Sequence, residues 1–314
     1  MSNSMTYRIY TVMEVDNLRD EQMGSKPKFW FLDPESQNLW LFKYARQHTG
    51  EDWAEKIASE LAALLGLPRA RVELATCTQK RGTISLDFTD KKRKGYLSHG
   101  NELLFEIDDT YPQHQQYRVS QHTVANITQI LSLDFVAPSV VEFFPNSACD
   151  AKGVFLGYLL LDALIGNTDR HHENWGLLVR SEGGKRIAEL APTFDHASSL
   201  GRELTDERIS TYLSCSKDRN VPNVEKYADK GASAVYLRAG GKPLTPLEAF
   251  RAFSSHTGNA KAVWLDKLAQ ISDDIMQDVV ERVPTSILGS DRRKFIGRFL
   301  RYNRRRLLDT GMYS

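Results

Sequence analysis

Gly166-Asn167-Thr168-Asp169-Arg170-His171-His172-Glu173-Asn174-Trp175 is the stretch on which the reading of this chain turns. It follows the longest apolar run, Val154 to Ile165, which carries a single charged residue, Asp162. That run is too short to span a bilayer and reads as a buried helix. Gly166-Asn167-Thr168 is a turn-forming triplet that ends it. Downstream, Trp175 to Val179 and Lys185 to Leu190 flank Arg180-Ser181-Glu182-Gly183-Gly184, the pattern of a β-hairpin. Just past the second strand comes Thr193-Phe194-Asp195-His196.

Within the loop, Asp169 and Asn174 stand in the spacing D-x-x-x-x-N. Loop, hairpin, then a further aspartate is the order that magnesium-assisted phosphoryl transfer uses. One carboxylate orients or deprotonates an acceptor hydroxyl. An amide oxygen and a second carboxylate suit a hard cation such as magnesium. A D-x-x-x-x-N pattern alone arises by chance in most long proteins, and a loop dense in Asp, His and Asn is often only a solvated turn. The ordered arrangement with Asp195 and an upstream strand lysine, Lys43, is what lifts it above chance.

Working outward, the first hundred residues read as strands with one helix. Arg8 to Val12 has strand composition. Lys28 to Leu32 and Leu39 to Lys43 flank the polar turn Asp33 to Asn38. Thr49 with Asp52 resembles a capping box, and Trp53, Ile57, Leu61, Leu64 and Leu65 recur at helical spacing. Gly66 and Pro68 end that helix. Arg71 to Cys77 and Gly82 to Phe88 are further strands. Helices are expected over 120–133, 151–165, 246–255, 260–271 and 292–308. The fold class expected is α+β: a small β-rich N-lobe over residues 1–110 and a large helical C-lobe over 111–314. The linker composition Asp108-Asp109-Thr110-Tyr111-Pro112 marks the change.

The chain has 314 residues, with 41% hydrophobic and 26% charged, so it can bury a sizeable core. The net charge of +1 supplies no global field to attract nucleic acid or an anionic membrane. Basic runs at 91–94 and 304–306 are local and read as solvated charged faces. Cys77, Cys149 and Cys215 are widely separated, with no CxxC pair, which argues against a zinc site or a disulfide framework. No signal-peptide core is visible at Met1 to Tyr10, so a cytoplasmic setting is expected. The segment Arg202 to Lys242 fits an activation or substrate segment and fits a surface excursion equally.

The stretch 166–175, followed by Leu190-Ala191-Pro192-Thr193-Phe194-Asp195, resembles the C-terminal lobe of the HipA-like serine/threonine kinases. The resemblance covers most of the chain from Gly24 onward and implies a bilobal protein-kinase-like fold that uses ATP and Mg2+. It implies Asp169 as the catalytic base, Asn174 and Asp195 as metal ligands, and His171 as a brace of the loop. His172 and His196 receive no role. Gly24-Ser25-Lys26 looks like the family's phosphate-covering segment, and Lys43 falls where its ATP-binding lysine lies. Glu55 fits the family's helical glutamate, although the helical wheel sets it nearly opposite the apolar stripe; Glu60 is the fallback. Adenine would lie near Ser85, Leu86 and Phe88. The chain resembles the shorter HipT type, which lacks HipA's extra N-terminal subdomain. It shows one serine, Ser25, where that type carries two. Family behaviour implies a toxin that phosphorylates itself and a translation-related protein, such as an aminoacyl-tRNA synthetase, and is neutralised by an antitoxin. No direct nucleic-acid or membrane partner is expected. Two alternatives stand beside it: a lipid or small-molecule kinase, because Asp169-Arg170-His171 with Asn174 also fits the phosphoinositide-kinase loop, and a catalytically silent kinase-fold binding module.

Overall fold

A computed structural model describes residues 5–13, 17–20, 27–89, 95–137, 139–144, 148–214 and 222–309. Gly24, Ser25 and Lys26 lie outside the described residues. The N-terminal part is a six-stranded sheet formed by β1 (Ile9–Val12), β2 (Asn17–Asp20), β3 (Lys28–Leu32), β4 (Leu39–Tyr44), β5 (Val72–Cys77) and β6 (Lys80–Leu86). Its order is β1-β5-β6-β4-β3-β2; β1 runs parallel to β5 and the other pairs are antiparallel.

The two-residue period of β3 and β4 divides their side chains between two faces. Phe29, Phe31, Trp40 and Phe42 pack with Ile84 and Cys77 into a small core of their own. Lys28, Trp30, Leu41 and Lys43 point the other way. The register sets Lys28 opposite Lys43 and Trp30 opposite Leu41. These four line the cleft below the sheet.

Helix α1 (Glu51–Leu64) crosses the same face of the sheet. Its start differs from the capping-box expectation. Gly50 is the N-cap and no side chain caps the helix. Thr49 donates its hydroxyl to the Arg46 carbonyl, and Asp52 is held instead by Arg81, at 2.6 and 2.7 Å. A carboxylate offered a bidentate guanidinium prefers it to a backbone amide.

The C-terminal part is built on α4 (Ala151–Ile165), buried along its whole length apart from Lys152. Packed on α4 are α3 (Val124–Leu131), α7 (Pro246–Ser254), α8 (Ala260–Ala269) and α10 (Ser290–Asp309), while α9 (Asp273–Glu281) packs on α10 and α1. The shorter α2 (Gly100–Ile107), α5 (Asp206–Leu213) and α6 (Val224–Asp229) complete the helices named here. Strand β7 (Tyr96–His99), a two-residue pair β8 (Ser139–Val140) and β9 (Ala148–Cys149), and the hairpin β10 (Gly176–Glu182) and β11 (Lys185–Leu190) complete the strands. β10 lies between β11 and β7. The chain is therefore a β-rich region followed by a helical one, and the hairpin interrupts the helical one between α4 and α5. Cys77 and Cys149 are free thiols. No helix among the described residues is long and apolar enough to cross a membrane.

Candidate active site

Gly166 ends α4 in the left-handed region, φ 63°. A Cβ there would meet the Phe299 ring at 2.5 Å, so both the backbone and the packing require glycine. The chain then doubles back beneath its own helix. Asn167 donates to Asp162 Oδ1 at 2.8 Å, and its own Oδ1 receives the Asp169 amide at 3.1 Å.

Arg170 turns inward and forks onto Asp162 with bonds of 2.7 and 2.8 Å. Its third nitrogen, Nη1, donates to the Asn174 carbonyl at 2.7 Å, and Nη2 also donates to Thr193 Oγ1 at 3.0 Å. This accounts for the one charge in the apolar run: Asp162 is the counter-ion of a buried arginine. With Arg170 directed into the core, Asp169 and His171 on either side face the cleft. His172 turns inward, where Tyr111 Oη lies 2.8 Å from its Nδ1. Burial holds His172 down to about 4 and its neighbour His122 down to about 3. Trp175 donates to His122 Nε2 at 3.0 Å, so His122 is a neutral packing group whose Nδ1–H donates to the Ala234 carbonyl.

Asp169 accepts a hydrogen bond from Ser198 Oγ at 3.3 Å. Burial raises its carboxyl above the usual carboxylate range. The nearby His171 opposes that rise, Asp195 adds to it, and the Ser198 hydroxyl opposes it. His171 Nδ1 accepts from the Glu173 amide at 3.2 Å, which leaves Nε2 as the protonated nitrogen of the neutral ring, 3.9 Å from Asp169 Oδ1. Asn174 commits its amide nitrogen to the Asp169 carbonyl at 2.6 Å, so its amide oxygen is the atom left for a cation.

Asp195 sits at φ 59°, a left-handed position that costs a non-glycine residue about 1 kcal/mol. Its Oδ2 lies 3.4 Å from Lys43 Nζ. Glu55 is buried near both and lines a small pocket with them. Its Oε1 is 3.5 Å from His196 Nδ1, while Oε2 has no hydrogen-bond partner. His196 Nε2 lies 2.7 Å from Thr193 Oγ1. A continuous polar path thus runs from Asp162 through Arg170, Thr193 and His196 to Glu55. Glu60 lies elsewhere, paired with Lys56 at 2.7 Å.

These groups open onto a cleft of about 460 Å³ between the sheet and the loop. Ser85, Leu86 and Phe88 line it, as do Lys43, Asp169, His171, Asn174 and Asp195. Glu55 lies behind Lys43. Three lining residues, His99, Ser198 and Arg202, carry no local sequence signal. Phe194 packs between Phe88, to which it is tilted, and His99, which it meets edge-on, with ring centroids 5.6 and 6.0 Å away. Ser198 touches the Asp169 carboxylate. Arg202 bridges Ser198 Oγ at 3.2 Å and the buried Glu51 at 2.8 Å. The donor set suits magnesium bound together with phosphates: one amide oxygen, one carboxylate and a nearby lysine. No group of three or more His, Cys, Asp or Glu among the described residues could hold a metal alone.

The sequence model of the HipA-like C-terminal domain matches residues 22–286. The chain belongs to this HipA-like family. The serine/threonine-protein kinase CtkA of Helicobacter pylori is 27% identical over 181 residues, covering 55% of this chain and 48% of CtkA. That match spans about half the length of the curated relative. The crystal structure of CtkA, a Helicobacter pylori proinflammatory kinase, superposes with a TM-score of 0.66 at 17% identity, over 93% of this chain and 92% of that one. HipA from Shewanella oneidensis, solved with HipB and its operator DNA, gives a TM-score of 0.57 at 14% identity, over 94% of this chain and 66% of that one. At these identities the superpositions establish that the chain shares the fold of these two proteins.

Proposed function

We infer that this HipA-like chain is an ATP- and magnesium-dependent protein serine/threonine kinase. The observation that carries the reading is the convergence of Lys43 on β4, Asp169 and Asn174 in the loop after α4, and Asp195 after β11 on one cleft. Asp169 accepts the proton of an acceptor hydroxyl while the oxygen–phosphorus bond forms and the bond from the γ-phosphorus to the leaving ADP breaks. Asn174 and Asp195 would hold magnesium, which neutralises phosphate charge when bound. Lys43 turns from Asp195 toward the nucleotide phosphates. Glu55, with Oε2 unpartnered, is the carboxylate placed to receive Lys43 in that arrangement. Ser85, Leu86 and Phe88, with Phe194 and His99, form the adenine wall.

Membership of the HipA-like family and the likeness to a HipA solved with HipB support a finer reading. On it the chain is a cytoplasmic toxin that phosphorylates itself and a translation-related protein, and an antitoxin partner restrains it.

Calorimetric titration with magnesium-ATP tests the nucleotide site. Wild type is expected to bind and Lys43→Met to lose at least tenfold in affinity. Equal affinity for both proteins would remove Lys43 from the site, and no binding by wild type would remove the kinase reading.

A further inference from the structure

A second cavity, about 410 Å³, opens on the helical region beside the catalytic loop. Thr168, the residue before Asp169, lines both it and the nucleotide cleft. Its floor is aromatic: the Tyr227 ring lies 5.6 Å from Tyr212 and 5.9 Å from Phe299. The charges at its rim are unequally satisfied. Glu203 accepts a hydrogen bond from the Tyr227 hydroxyl at 2.6 Å, a neutral donor that does not cancel the carboxylate's charge. Arg306 is neutralised by Asp229 at 3.3 Å. Arg208 and Lys230 are exposed, and their side-chain cations have no ion-pair or hydrogen-bond partner among the described residues. The cavity therefore sets two unpaired cations, Arg208 and Lys230, against one carboxylate, Glu203, which leaves a net positive rim above an aromatic floor, one residue from the catalytic base.

We propose that this cavity is the acceptor-docking subsite and that it takes an acidic segment of the substrate polypeptide close to the phosphorylated hydroxyl. The proposal rests on the kinase reading above. Two cations around an apolar floor favour a carboxylate-bearing side chain, because the carboxylate gains both charges while its methylenes cover the aromatic rings. An acidic flank also suits the wider surface. The chain's net charge is close to zero, so local charge rather than an overall field must guide the partner.

The test is fluorescence anisotropy at low salt with two labelled peptides, one a serine flanked by glutamates and the other the same serine flanked by lysines. Wild type is expected to bind the glutamate peptide at least tenfold more tightly, with the preference fading as salt rises. Arg208→Glu with Lys230→Glu should reverse the preference, and Arg208→Gln with Lys230→Gln should erase it. Both variants should keep wild-type magnesium-ATP affinity. Equal binding of the two peptides, or unchanged selectivity in the variants, with nucleotide binding intact, would overturn the docking proposal and leave the kinase reading standing. Displacement of the glutamate peptide by an equal concentration of oligouridylate would reassign the cavity to nucleic acid and likewise overturn it. Loss of nucleotide binding by wild type would overturn both.

Discussion

Two carboxylate–cation pairs flank the catalytic loop and are put to opposite uses. Asp162–Arg170 is sealed, with side chains 3% and 1% exposed, and Arg170 also bonds to Asn174 and Thr193. Asp195–Lys43 is open, with side chains 34% and 18% exposed, and its 3.4 Å separation leaves room for rearrangement. The first pair is consumed by the fold and shapes the loop. The second is held in readiness at the cleft wall. Burying a charge is tolerated only when its own donors and acceptors are satisfied, and that condition is met for Asp162 and Arg170. It is left incomplete near Lys43, where Glu55 Oε2 has no partner. Polar groups left short of partners in a cleft mark where a ligand completes the set.

Breaking the sealed pair should have the largest effect on the fold. Arg170→Met leaves Asp162 charged and buried without its counter-ion, and is expected to cost about 3–5 kcal/mol by urea denaturation. Adding Asp162→Leu should recover part of that loss. A loss near zero for Arg170→Met would show that the pair does not organise the loop. By contrast, Lys43→Met should change unfolding free energy by no more than about 1 kcal/mol, because an open pair contributes little to stability.

A smaller effect sharpens the contrast from the cleft side. Asp169 must be ionised to accept a proton, and burial raises its carboxyl above the usual range. Activity should therefore fall on acidification at a higher pH than an ordinary aspartate would dictate. Ser198→Ala removes a hydrogen bond that favours the ionised form, so the acid limb of the rate profile should move further up in pH. An unmoved limb would mean that the hydroxyl does not hold the Asp169 carboxylate.

The long, strongly patterned elements were legible in the sequence. The apolar run ending at Ile165 and the β3–β4 hairpin appear where the pattern places them, and the second hairpin forms with a shorter turn than expected, because Arg180, Ser181 and Glu182 continue β10 and leave Gly183-Gly184 as the turn. Less legible were β7, too short for its alternation to register, and α5, whose only buried residue is Ile209. At the site, Asp169, Asn174 and Asp195 were readable because residue type, spacing and order belong to one continuous segment. Glu51 with Arg202, and His99 with Glu173, were not, since each pair joins distant parts of the chain. Glu55 was ambiguous on a helical wheel because α1 is covered on nearly all sides over its first turns. A two-sided reading into core and solvent does not apply to such a helix. Asp162 was visible as an anomaly in an apolar run, but its meaning came only with Arg170.

The most direct measurement of the central claim is phosphoryl transfer from radiolabelled ATP with magnesium, using wild type and Asp169→Asn at equal concentration. The substitution is nearly isosteric and should leave both the thermal midpoint and magnesium-ATP affinity close to wild type. Transfer to protein, including the enzyme itself, should fall by about 10²–10⁴-fold, the range expected when a positioned base is lost. Equal labelling by the two proteins would contradict the account.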